Sequence, residues 1–169
     1  MSKSGAFVGA LAMAFLLAAP DVGLPQSAPQ PQPQPQPPAS APYVLTMGDM
    51  MNTLIQPRHA KLGLAGRAQN WALAGYALVE IRQSFAGITK AQPRFRGLPL
   101  GELVEAALSQ PLDAVDTAIK QQDPKKFAAA YDQLTQGCNA CHAAVDHAYV
   151  VIKAPDASAF PNQEFSPRR

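Results

Sequence analysis

From Tyr43 to Ile152 the apolar residues recur at intervals of three and four, with scarcely any alternation at two, and Ala and Leu are frequent throughout. A chain patterned in this way buries stripes of helices rather than faces of sheets, and strand-containing folds find no support in it. Helix breakers divide the stretch into four segments. The first runs from about Val44 to Leu62, opens near Thr46 or Asp49, and places Met47, Met51, Leu54, Ile55 and Leu62 along one side, with Pro57 expected to kink it. The second, about Arg67 to Lys90, carries Trp71, Ala74, Leu78, Ile81, Phe85 and Ile88. The third, about Pro99 to Gln122, carries Leu103, Val104, Leu108, Leu112, Val115 and Ile119, with Pro111 expected to bend it. Asp123 followed by Pro124 reads as an N-cap with proline at the first helical position. It opens a fourth segment with Phe127, Tyr131, Leu134, Val145, Tyr149 and Ile152. Four helices with short connections imply an all-α fold, an antiparallel up-down-up-down four-helix bundle over residues 43–153. Residues 154–169, with Pro155, Pro161 and Pro167, form an extended C-terminal tail whose Phe160 and Phe165 are the groups able to pack back on it.

The N-terminal quarter has a different composition. Lys3 precedes an uncharged run, Ala6–Ala19, and no further charge occurs before Asp21. That is the pattern of a secretory signal, assigned to residues 1–28 with cleavage after position 19 or 28. As a helix the run would reach about 21 Å, short of the ~30 Å hydrocarbon core, so a membrane anchor is expected only if the leader stays uncleaved. Residues 29–38 read PQPQPQPQPP, within a Pro/Gln-rich linker spanning 29–42. Alternating proline fixes φ and removes donors, which makes this a spacer of about 31 Å. Overall, 47% hydrophobic and 15% charged residues exclude a wholly disordered chain, and a net charge of +2 gives no footing for a nucleic-acid binder.

The two cysteines both fall in Cys138-Asn-Ala-Cys141-His142. C-x-x-C-H is the spacing of covalent haem attachment, because thiols three positions apart on a helix can each bond one vinyl group while the next residue turns an imidazole to the iron. The alternatives fit less well. A Cys138–Cys141 disulfide would close a very short loop, zinc would need a second pair of cysteines, and a thioredoxin-type site needs a strand before its helix. One haem c on Cys138 and Cys141, with His142 as proximal iron ligand, is therefore expected, and the leader would deliver the chain to the compartment where haem is attached.

A single C-x-x-C-H near the end of an exported four-helix chain resembles the class II c-type cytochromes, the cytochrome c-prime group, over roughly Tyr43 to Ile152. The string Gln56-Pro-Arg-His-Ala-Lys-Leu62, followed by Asn70-Trp71 and Ala74-Gly-Tyr76, is similar to small proteobacterial monohaem members of that superfamily. The resemblance implies a haem buried between helices and periplasmic electron transfer. It departs from the family's pattern at Val145 and Asp146, where a basic residue often stands three or four places after the haem histidine.

The sixth iron position decides between functions, since Met–His ligation makes an electron carrier and an apolar distal side makes a gas binder. Met51, Ile55, His59 and Leu62 share one stripe, which makes Met51 the leading distal ligand, His59 the alternative, and Met47 or Met50 more remote choices. Helix heights counted from Val44 and Ile152 do not separate Met51 from His59. His147, rotated ~140° from His142, is expected on the solvated surface. Trp71 and Tyr76 are expected to pack beside the haem, and Lys90, Arg94 and Arg96 to form a solvated turn able to meet propionates or an acidic partner. The sequence thus points to a periplasmic, non-enzymatic monohaem cytochrome that exchanges single electrons with redox partner proteins, with a homodimer possible. A five-coordinate gas-binding or sensing haem protein is the alternative.

Overall fold

The computed structural model describes residues 43–167; the leader and the linker lie outside the described residues. The chain is mostly helical. A short helix α1 (Met47–Met50) passes through one π-helical turn, Met51–Ile55, into α2 (Gln56–Arg67). Thr46 caps α1 in a reciprocal capping box with Asp49. The π-turn sits just before Pro57, whose ring would collide with the carbonyl four residues back in a regular helix. The turn widens instead: Gln56 donates to Met51 O five residues back, and Pro57 falls in the first turn of α2, where its missing N–H removes little.

Three long helices follow, α3 (Trp71–Ala91), α4 (Leu100–Gln121) and α5 (Pro124–Ala144). Asn70 caps α3 through Leu73 N, and Asp123 Oδ1 accepts from Lys125 N and Lys126 N to cap α5, with Pro124 in its first turn. α3 packs on α2 and on α4, and α5 packs on α4 and on α2. Leu62, Ala74, Val115, Leu108 and Leu134 are almost fully buried between them. α2 and α5 are brought close by two glycines. A Cβ on Gly63 would meet the Tyr131 hydroxyl and ring at 2.6 Å, and one on Gly66 would overlap the Phe127 ring. α4 runs unbroken through Pro111. The carbonyl that Pro111 cannot pair, Ala107 O, faces Gly137, where a Cβ would stand only 2.5 Å away.

Three expectations need correction. A two-residue antiparallel hairpin, β1 (Arg94–Phe95) and β2 (Leu98–Pro99), joins α3 to α4. Positive φ at Arg96 and Gly97 gives it a turn matched to strand twist, and two residues per strand are too few for periodicity to register. The fourth helix stops at Ala144 rather than continuing to Ile152. Asp146 takes a left-handed φ of 58°, His147 N returns to His142 O at 2.8 Å, and Tyr149 is 77% exposed instead of buried. Tyr76, off the Ala74–Leu78–Ile81 stripe, is also exposed, and Trp71 packs edge-on against Phe127 at 6.0 Å, away from the C-x-x-C-H end of α5. The tail does return to the core: Phe165 packs against it and pairs with Phe160, over which Lys61 lies at 4.8 Å.

Candidate functional site

Tyr131, Thr135, Cys138 and His142 descend one side of α5 at steps of four, three and four, and the stripe changes character along its length. Its lower half opens onto a cavity of about 650 Å³, counting the part exposed to solvent. Cys138, Cys141 and His142 line it from α5, Met51, Ile55 and His59 from the first helix, and Phe85, Val104 and Leu108 from α3 and α4. The sequence-derived residues therefore converge on one space. Measured from the observed ends, Met51 lies about 6 Å from the start of α1 and His142 about 3 Å from the end of α5, whereas His59 lies about 18 Å along its helix.

Both cysteines are free. Burial, and then the neighbouring Cys141, pushes the Cys138 thiol up to about 12, and burial also raises Cys141. At neutral pH the pair consists of neutral S–H groups at the carbonyl end of a helix, the reverse of the electropositive setting that makes thiolate nucleophiles or metal ligands. Among the described residues no group of three or more His, Cys, Asp or Glu side chains is placed to hold a bare metal ion.

His142 Nδ1 lies 2.8 Å from Val150 O. A carbonyl only accepts, so Nδ1 bears a proton, and among the described residues none hydrogen-bonds to Nε2. Val150 sits in the loop after α5. That loop is held by Asn139, the residue after Cys138: Ile152 N donates to Asn139 Oδ1 at 2.7 Å and Asn139 Nδ2 donates to Ile152 O at 2.9 Å. Neither partnership was visible in the sequence, because both depend on the helix ending at Ala144. His147 is half-buried between Phe95 and Tyr149, with Nδ1 2.7 Å from Val145 O. Arg96 reaches from the hairpin to within 4.0 Å of Asp146, while Arg94 donates to Gly97 O.

His59 has both ring nitrogens engaged. Nδ1 is 3.0 Å from Tyr131 Oη and Nε2 is 3.0 Å from Thr135 Oγ1. Burial holds its pKa down to about 4, so the ring is neutral and has one N–H for two hydroxyl neighbours. Each hydroxyl also reaches a carbonyl, Tyr131 to His59 O at 2.7 Å and Thr135 to Tyr131 O at 2.9 Å. One hydroxyl must therefore donate to the ring and release its carbonyl, which costs little where a helical N–H already serves that oxygen. To bind a metal through Nε2, His59 would have to give up Thr135. The spacing Tyr131–Thr135–Cys138 could have signalled this pairing, since it puts two hydroxyls on the same stripe as the thiol. No family model, no curated protein and no solved structure matches this chain.

Proposed function

We propose that the chain is a periplasmic monohaem c-type cytochrome that passes single electrons between redox partner proteins, built as an antiparallel up-down-up-down four-helix bundle and exported by its leader. The observation that carries this reading is the convergence of two free thiols and an imidazole with an uncommitted Nε2 on one apolar cavity, with a methionine thioether on the facing helix. The lining fits a porphyrin better than a bare ion: among the described residues no group of three or more His, Cys, Asp or Glu side chains could hold an ion, and the walls Ile55, Phe85, Val104 and Leu108 suit an apolar macrocycle. Each thiol of Cys138 and Cys141 would add across a vinyl group, sulfur to one carbon and hydrogen to the other, with no oxidant consumed. His142 would take the proximal side through Nε2 and Met51 the distal side. Bound there, haem supplies reversible one-electron chemistry. The protein contributes orientation of His142 through Val150 O, exclusion of water by the apolar walls, and no catalytic residue.

Met51 is favoured over His59 for two reasons. Among the described residues none bonds to its sulfur, whereas both His59 nitrogens are occupied. It also begins the π-turn, a backbone device frequently found at functional sites. One observation favours the five-coordinate, gas-binding alternative: the walls that α3 and α4 supply, Phe85, Leu100, Val104 and Leu108, offer only hydrocarbon, and on the first helix Asn52 and Gln56 are amides rather than iron ligands. Replacing Met51 by Ala separates the two. In the carrier reading the ferric spectrum converts from low-spin to high-spin and the ferrous protein gains carbon monoxide binding, while His59→Gln leaves the spectrum unchanged. A wild-type protein already high-spin and unaffected by either change would establish the second reading.

A further inference from the structure

The loop that follows α5 has little apolar burial to hold it. Tyr149 is 77% exposed, Val151 73% and Val150 39%, and of this loop only Val145 is fully buried, with His147 and Ile152 partly so. Its position nevertheless matters, because Val150 O is the acceptor for His142 Nδ1. Turn bonds from His147 N to His142 O and from Val150 N to His147 O shape the loop locally but do not tie its far end to the helix. The Asn139 amide does. It mimics a peptide group, accepting from Ile152 N and donating to Ile152 O, and so closes the loop two residues beyond Val150. Asn139 is one helical turn before His142 on α5, so both ends of the loop are referred to the same helix.

We propose that Asn139 is a positioning residue for the His142 imidazole: by clamping the Ile152 backbone it fixes Val150 O against Nδ1, and thereby the ring's tautomer and plane. The effect on iron rests on the haem reading; the effect on the imidazole rests on the geometry alone. An Nδ1–H held by a carbonyl makes the ring a stronger donor through Nε2, which favours the ferric state. Releasing the clamp therefore shifts the reduction equilibrium toward ferrous iron.

The test uses the full-length exported protein with ¹⁵N-labelled histidine, as wild type, Asn139→Ala and Asn139→Asp. Alanine removes both bonds. Aspartate keeps the acceptor for Ile152 N but sets a carboxylate against Ile152 O. Hydrogen exchange at His142 Nδ1 should be at least about tenfold faster in Asn139→Ala, and the reduction equilibrium should move about three- to tenfold toward the reduced form, with Asn139→Asp between it and wild type. Unchanged exchange and an unchanged potential in folded Asn139→Ala would overturn the proposal. If that variant does not accumulate, the same null result in Asn139→Asp overturns it. If wild-type protein comes back without haem, the cytochrome reading fails separately. The ring-nitrogen shifts of the colourless protein then still decide whether loss of Asn139 mixes the His142 tautomers, as the clamp requires, or leaves them single, which refutes it.

Discussion

The two halves of α5 are made from the same kind of sequence and put to opposite uses. From Phe127 to Thr135 the helix is closed: aromatic rings fill the space left by Gly63 and Gly66, and the Tyr131 and Thr135 hydroxyls meet both nitrogens of His59. From Cys138 to His142 it is open: two thiols are free, one imidazole nitrogen has no partner among the described residues, and the walls around them are mainly apolar, with Asn52 and Gln56 the polar exceptions beside His59. A packed half resists change, while an open half keeps its chemistry available for a bound group. Stability should therefore reside mainly above Thr135 and ligand chemistry below it.

The largest test of that division is Phe127→Ala. The ring is 2% exposed, stacked on Tyr131 and packed edge-on against Trp71, so its loss should cost about 3–5 kcal/mol in urea unfolding. A cost below about 1 kcal/mol would mean that the closed half is not the anchor. Next comes acid. His59 titrates near 4 when folded, against about 6.5 in an unfolded chain, so the folded state binds fewer protons within that window. The corresponding stability is fully present above about pH 6.5 and is lost as pH falls toward 4, about 3 kcal/mol in all. Unfolding midpoints measured between pH 7 and 4 should show this slope in wild type and lack it in His59→Gln. Gly137→Ala tests the joint between the halves. Alanine is the better helix former by about 1 kcal/mol, yet its methyl would press on Ala107 O, a backbone atom that cannot swing away. A net loss of about 1–3 kcal/mol is expected from calorimetry, and a gain would show that α4 and α5 separate freely there.

How much of this was legible in the sequence follows the same line. The helical stripes, the Asp123 cap and the convergence of Met51, Cys138, Cys141 and His142 depend on spacings of three and four, and those repeat over whole segments. What escaped depends on single backbone events. The end of α5 at Ala144 hid the exposure of Tyr149 and the bond from His142 to Val150, because Val145 and Ile152 continue the apolar spacing although the chain has already turned back at Asp146. The hairpin at Arg94–Pro99 is too short to show alternation. The π-turn adds one residue before Pro57, where proline alone suggests only a kink. His59 looked like a rival to Met51 because its stripe is correct; its hydroxyl neighbours are contributed by α5, 72 and 76 residues away.

The most direct test is the intact mass and visible spectrum of the full-length protein exported from a cytochrome-maturing host, set beside the Cys138→Ala, Cys141→Ala double variant. The account predicts a polypeptide carrying one haem that survives acid–organic extraction, with the double variant at apoprotein mass. A wild-type protein that is colourless, or that gives up all its colour on extraction, would contradict it.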